Sequence, residues 1–373
     1  MARKTAASAG VSRSRDDEVE GLDSTEDDGL GEYPIDTLLI RTETRTVFDV
    51  VRRIRGGGFV MNPDFQRDFV WPPEKQSKLI ESVLMRIPLP VFYLAENKKG
   101  QTVVVDGLQR LSTFESFLGD KVSLHLPEQE SLHRRKFTNL SEKLQNRIED
   151  CQLVLYIIDS KVPERAKLDI FERVNSGEPL TRQQMRNCLY MGPATNWLKT
   201  EAKTDLFVRA TGESLDAGKM RDREFVNRFC AFRLVGFNEY RKDMDAFLAR
   251  SLELMNELSE EQLNDLSRQF RLALENNFAL FDRHAFRKHQ PHQSELNPIN
   301  ASLWDVMTTG LARYPTNVVS RKADNFRERF FTLLDDEEFN SAITYSPNST
   351  KCVRRRFELG ETLFREVFGD YPG

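Results

Sequence analysis

Several polar side chains follow one another where an apolar stretch gives way to a helical pattern. Residues 102–105 are β-branched and apolar, which predicts a buried strand, and Asp106-Gly107 ends it. The helix predicted next carries Gln109, Arg110 and Ser112 in its first turns. Backbone N–H groups there lack intrahelical partners and the helix dipole is positive, so the junction favours a phosphate oxygen near Arg110. Asp106 beside it would hold a metal ion or accept a proton from water.

Asp106 also has a structural interpretation, because an aspartate before a helix commonly caps it by accepting from backbone donors. The Gln109-Arg110 pair that follows favours a functional site over a simple turn. Leu108 continues an apolar stripe with Leu111 and Phe114, so it is expected to face the core.

Short strands and helices alternate around this junction. The predicted elements are a helix over 47–55 closed by three glycines, a helix over 73–86, strands over 91–95 and 102–105 that form a hairpin, a strand over 152–158, and a helix over 163–174. This part of the chain therefore reads as an α+β domain.

Further polar residues lie in predicted loops and at one helix. Gln66 and Arg67 follow the extended Asn62-Pro63 segment, and arginine suits bidentate phosphate recognition. Trp71 precedes two prolines and is expected to anchor its loop by packing rather than to stack on a base. Asn175 ends a helix and is a further candidate for contact with the bound phosphate or nucleotide. Alternatively it only terminates its helix, a position that asparagine suits. Arg186 belongs to a helix that also presents Gln183 and Asn187, and that Thr181 begins with a capping box.

The composition is that of an ordinary globular protein. The chain has 373 residues, 39% hydrophobic and 30% charged, and no stretch approaches the roughly 20 apolar residues of a membrane span. No apolar signal-peptide core opens it, so a cytoplasmic location is expected. The four cysteines are far apart, which indicates neither a metal-binding pair nor a disulfide framework.

The net charge of −4 comes from the amino terminus. Residues 16–32 contain nine acidic residues and no basic one, so 1–32 is predicted to be a disordered acidic tail. The remaining chain has 50 basic and 49 acidic residues, which does not indicate a nucleic-acid binder by charge alone. The arginine clusters at 52–55 and 354–356 are expected to be solvated helix faces.

The carboxy-terminal half has helical patterning and few β-branched runs. A boundary near Met191-Gly192-Pro193 is predicted, which gives domains over 33–190 and 191–373. Phe225, Phe229 and Phe232 repeat at helical spacing and are predicted core residues, and 252–274 reads as one amphipathic stretch. Such apolar faces serve a core, a docked partner or a second copy of the chain equally well.

At this point five motifs in order resemble a known family, the amino-terminal domain of GmrSD-type modification-dependent restriction systems. They are Phe65-Gln-Arg67, Trp71, Leu79-Ile-Glu-Ser82 with Ile87-Pro-Leu-Pro90, Val105-Asp-Gly-Leu-Gln-Arg-Leu111, and Ile170-Phe-Glu-Arg-Val-Asn-Ser-Gly177. The resemblance covers about residues 33–190, and it implies a ParB/sulfiredoxin-like fold for this domain.

The resemblance implies NTP binding and hydrolysis with Mg²⁺ through a DGQQR motif, in bacterial defence against phage with modified DNA. Asp106, Gln109 and Arg110 would then be catalytic, and Gln66, Arg67, Gly107, Ser112, Asn175 and Arg186 would contact the nucleotide or its phosphates. The motif departs from the family at Leu108, where glutamine is usual. If that glutamine binds nucleotide, the change would remove hydrolysis; if it packs, as the apolar stripe of Leu108 favours, the change is harmless.

Many relatives carry an HNH nuclease domain that needs histidines, and this chain has only five. His284, His289 and His292 lie close together, but surface histidines are the commoner interpretation. The chain is therefore expected to lack its own nuclease and to work with a partner. A DNA-binding or DNA-cleaving module and a non-catalytic docking subunit remain the alternatives.

Overall fold

The computed structural model describes residues 19–22, 40–61, 71–97, 100–174 and 180–370. Contacts between backbone positions divide them into two compact units, which meet in sequence between Met191 and Gly192. One unit comprises the described residues from 40 to 191. The other comprises residues 19–22 and 192–370.

The described unit from 40 to 191 is built on a mixed five-stranded sheet. Its strands are β2 (Ile40–Thr46), β3 (Phe59–Val60), β4 (Phe92–Glu96), β5 (Thr102–Asp106) and β6 (Gln152–Ile158), in the order β2-β6-β4-β5-β3. β2 and β6 pair antiparallel, as do β4 and β5, whereas β4 pairs parallel with β6 and β3 parallel with β5. The predicted hairpin of residues 91–105 is thus the central β4-β5 pair.

Six helices accompany this sheet within the described residues. They are α1 (Val47–Arg55), α2 (Pro73–Leu84), α3 (Leu108–Leu118), α4 (Glu142–Glu149), α5 (Glu164–Val174) and α6 (Arg182–Leu189). The apolar stripe of α3 is buried, with Leu111 and Phe114 fully inaccessible to solvent. Val105 of β5 packs with Phe171 and Met185, so α5 and α6 are held against the strand that ends at the candidate site. The predicted mixed α and β organisation is confirmed.

The second unit is mainly helical, as predicted. Its helices are α7 (Pro193–Glu201), α8 (Asp205–Thr211), α9 (Arg221–Leu234), α10 (Met244–Glu257), α11 (Glu260–Phe281), α12 (Ala301–Leu311), α13 (Thr316–Arg321), α14 (Ala323–Asp335), α15 (Glu337–Thr344) and α16 (Thr350–Phe368). The stretch 252–274 is divided between two helices, because Leu258 leaves the helical conformation and Ser259 caps α11. Phe225 and Phe229 are fully buried, in agreement with their predicted core position.

The amino-terminal tail differs from its prediction at the four residues that are described. Val19–Glu20 forms a short parallel strand, β1, with β7 (Ile299–Asn300), and Glu20 pairs with Lys288 at 2.5 Å. Backbone pairing and one ion pair order this acidic segment although its composition provides little apolar surface. The other residues of the tail lie outside the described ranges.

The arginine cluster at 354–356 is not simply a solvated face. Arg356 is fully buried and donates to Asp305, which also receives two hydrogen bonds from buried Arg228. A buried carboxylate on another helix supplies the counter-charge that sequence spacing does not reveal. Among the described residues, no helix has the length and apolar character needed to cross a membrane.

Candidate functional site

The turn between β5 and α3 requires glycine for two reasons. Gly107 has φ +89°, a left-handed conformation that side chains with a β-carbon rarely adopt. A β-carbon at Gly107 would also lie 2.3 Å from Cδ1 of Phe92, a buried residue of β4. The close approach brings the start of α3 directly over the Phe92 ring. The geometry of the turn is therefore determined by both the backbone and the packing beneath it.

Arg110 connects this turn to the segment that enters β4. Its Nη2 donates to Asp106 Oδ2 at 2.9 Å and to the Val91 carbonyl at 3.0 Å, and its Nη1 donates to the Pro90 carbonyl. Its guanidinium carbon lies 4.2 Å from the centre of the Phe92 ring. Burial lowers the pKa of Arg110 and the Asp106 charge opposes that shift. The side chain is 11% exposed, so the cation is held in one orientation with only an edge accessible.

Asp106 is the more accessible partner of this ion pair, with 28% of its side chain exposed. Arg110 contacts Oδ2, and Oδ1 is the oxygen through which the carboxylate would act on a ligand. The described residues contain no group of three or more His, Cys, Asp or Glu side chains placed to hold a metal. Mg²⁺ commonly takes one or two protein carboxylates and completes its shell with phosphate oxygens and water. Asp106 fits that use as a single protein ligand beside a bound phosphate.

Gln109 has a contact that its predicted role did not include. Its side-chain carbonyl oxygen accepts from the Trp71 backbone N–H at 3.0 Å, and Gln76 donates to the Trp71 carbonyl at 2.7 Å. Gln109 therefore positions the start of α2 relative to α3. Its amide nitrogen is the group that remains for a water molecule or a ligand.

Tyr93 is a residue of the site that sequence reasoning missed. It lies opposite Asp106 in the β4-β5 ladder, next to a register irregularity, and its ring is 5.4 Å from that of Tyr156. Burial raises the pKa of Tyr93, and Tyr156 and Asp106 add to that effect. The sequence signal was only its place at the start of a strand paired with 102–105. A neutral phenol beside Asp106 is the form present at physiological pH.

Of the other predicted site residues, two lie within the described part of the chain and three lie outside it. Ser112 has a buried hydroxyl oxygen, which has no hydrogen-bond partner among the described residues. Arg186 is buried on α6, where its Nε donates to Gln183 at 3.0 Å, and α6 packs against β5. Gln66, Arg67 and Asn175 lie outside the described residues, so their roles stay predictions. The structure thus brings Asp106, Gly107, Gln109 and Arg110 together and places Arg186 on a helix against the same strand.

Leu108 follows the interpretation made from its apolar stripe. Its side chain is 8% exposed and shares the buried face of α3 with Leu111 and Phe114. The third residue of the motif therefore points into the domain, whereas the residues before and after it form the accessible turn.

These features describe a strand-to-helix turn with an oriented Asp-Arg pair, on a small mixed sheet. Residues 47–191 match the model of the family described as GmrSD restriction endonuclease, N-terminal domain, and this segment is a domain of that type. The match points to a component of a restriction-like phage-defence system. A search of curated proteins found no match to the chain.

Proposed function

We propose that the protein is a nucleotide-binding, NTP-hydrolysing regulatory or sensor component of a restriction-like anti-phage system. The observation that carries the proposal is the Asp106–Arg110 ion pair of 2.9 Å at the left-handed Gly107 turn, where α3 begins. A helix start with a fixed cation attracts phosphate, and a carboxylate at the same point supplies a metal ligand or a base. We also propose that the unit from 40 to 191 has a ParB/sulfiredoxin-like fold.

Each residue of the turn has a separate task in this scheme. Arg110 would stabilise the charge that develops on the transferred phosphoryl group. Gln109 would use its amide nitrogen to orient the attacking water, since its oxygen is engaged by Trp71. Asp106 would accept the proton of that water or hold Mg²⁺, which neutralises phosphate charge when bound. In the simplest version of the scheme, DNA stimulates NTP hydrolysis, and a separate nuclease is the partner of the protein.

Phosphate release from each of the four common NTPs with Mg²⁺ tests the proposal directly. Asp106→Asn keeps an oxygen that accepts from Arg110, so the turn is preserved while the charge is removed. Asp150→Asn changes an exposed aspartate that ends α4 and is the matched control. Loss of a catalytic acid or base typically lowers turnover by about 10²–10⁴-fold, and we expect a loss of that order for Asp106→Asn alone. Equal turnover in the two variants would remove Asp106 from the mechanism.

A binding module without turnover is the second candidate. It is favoured by the hydrogen bonds of Arg110 to the carbonyls of Pro90 and Val91, because these contacts stabilise the fold without any ligand. NTP binding by the wild-type protein together with no phosphate release, with or without DNA, would select this candidate.

A further inference from the structure

An open groove of about 340 Å³ borders the Arg110 edge of the turn. One wall is α2, which contributes Lys75, Lys78 and Ser82, and the other is the segment 87–90. Trp71 closes one part of the groove and Arg110 another. The groove lies entirely within the unit from 40 to 191.

The wall formed by residues 87–90 is apolar, and Lys75, Lys78 and Arg110 form a cationic rim. Ile87 is 48% exposed beside Leu89 and two prolines, and the neighbouring Met85 is 55% exposed. Lys75 and Lys78 lie three residues apart on an exposed face of α2. Among the described residues that line the groove, the charged ones are these two lysines and Arg110. Such a combination suits a flat apolar group attached to an anion.

Carboxylates near the rim offset part of its charge. Glu81 is buried and pairs with Lys78 at 2.8 Å, and exposed Glu74 lies 3.7 Å from His125. Neither carboxylate is among the residues that line the groove. Lys78 is paired with Glu81 and Arg110 with Asp106, so Lys75 gives the described lining its positive balance.

Trp71 is positioned by its backbone and not only by packing. Gln109 and Gln76 hold its N–H and carbonyl, so its backbone has a fixed relation to the turn of Asp106 and Arg110. The indole is half-buried, and the ammonium of Lys75 lies 4.6 Å from its ring centre. Lysine has a flexible stem, so this cation can leave the ring when another group occupies the groove.

We propose that this groove is the nucleoside subsite of the nucleotide site, with the base stacked on Trp71 and Lys75 and Lys78 beside the anionic part of the ligand. The proposal rests on the nucleotide binding proposed above and adds where the base lies. It revises the sequence-based expectation that Trp71 serves packing alone. A stacking contact tolerates any base, so the subsite would accept several NTPs.

The test compares ligands with and without a base. Affinities for each of the four NTPs and for inorganic triphosphate, all with Mg²⁺, are measured by calorimetry on the full chain. Trp71→Ala keeps both backbone hydrogen bonds and removes the indole, and Trp71→Phe keeps an aromatic face. Lys75→Ala tests the rim, with Lys143→Ala as the control because Lys143 is exposed on α4 and does not line the groove.

We expect Trp71→Ala to weaken NTP binding about tenfold, as loss of one stacked base does, and to leave inorganic triphosphate unchanged. Trp71→Phe should retain most of the NTP affinity. Lys75→Ala should weaken both ligands about threefold, whereas Lys143→Ala should weaken neither.

Three outcomes would overturn the proposal. If the wild type binds NTP and Trp71→Ala binds it equally well, the groove is not the nucleoside subsite. The same holds if Trp71→Ala weakens NTP and inorganic triphosphate by the same factor. In both cases the nucleotide site itself remains. Absence of binding by any ligand to the wild type overturns the subsite and the proposed function together. If Trp71→Ala weakens binding of a single-stranded oligonucleotide and leaves NTP binding unchanged, the groove binds single-stranded nucleic acid instead.

Discussion

Gly107→Ala tests whether the candidate turn is as constrained as its geometry indicates. A left-handed φ costs a residue with a β-carbon roughly 1–2 kcal/mol, and overpacking of a filled core costs typically about 1–3 kcal/mol more. Both apply here, because φ is +89° and the new methyl group would lie 2.3 Å from Phe92. We therefore expect a loss of about 2–5 kcal/mol in the free energy of unfolding. Since Phe92 also lies under Arg110, nucleotide affinity should fall in the same variant.

Gly57→Ala is the matched control in the same unit. Gly57 has φ +73°, and, apart from its own chain neighbours, no heavy atom of the described residues lies within 4 Å of the position of its β-carbon. It should therefore show the backbone strain alone, about 1–2 kcal/mol. Thermal unfolding of both variants gives the comparison, at roughly 2–4 °C per kcal/mol for a domain of this size. Equal melting temperatures would refute the argument that Phe92 blocks a side chain at position 107.

Three further predictions concern the helical unit. Burial raises the pKa of Asp222 to about 6, so its contribution to stability is present below its ordinary pKa and is lost as pH rises through 6. Asp222→Asn should therefore be more stable than wild type at pH 8, by up to about 3 kcal/mol, and equal to it at pH 3, as followed by urea unfolding. Asp305→Asn leaves buried Arg228 and Arg356 without a full counter-charge, and denaturant unfolding should show a loss of about 3–5 kcal/mol. Ser259→Ala removes the cap of α11 and should cost about 1 kcal/mol in the same assay.

Local patterns were sufficient for elements whose boundaries depend on neighbours in sequence. The predicted helix over 47–55 has those bounds, because Thr46 caps its start and Gly56 follows its end. The helix predicted over 73–86 begins at Pro73 but ends at Leu84, since Arg86 has φ +59°. A left-handed residue other than glycine or asparagine has no clear sequence signal.

Local sequence patterns could not predict contacts between segments that are far apart in the sequence. The strand Ile40–Thr46 was missed because it is a charged edge strand, whose alternation of arginine, threonine and glutamate resembles a solvated loop. Arg110 was predicted beside Asp106, four residues away on the same turn. Its bonds to Pro90 and Val91 could not be predicted, since they depend on how the hairpin folds back.

The orientation of the Leu108 side chain shows what the replacement of the usual glutamine changes. A residue in the third position of the motif faces the core with Leu111 and Phe114, and leucine satisfies that environment without a polar group to pair. The accessible polar groups of the turn belong to Asp106, Gln109 and Arg110, the residues that the proposed function uses. A core-facing leucine therefore weakens no contact that these three residues make. For the proposed NTP hydrolysis, the packing of Leu108 directs attention to the Arg110 contacts with the Pro90 and Val91 carbonyls, which occupy donors that a phosphate would use.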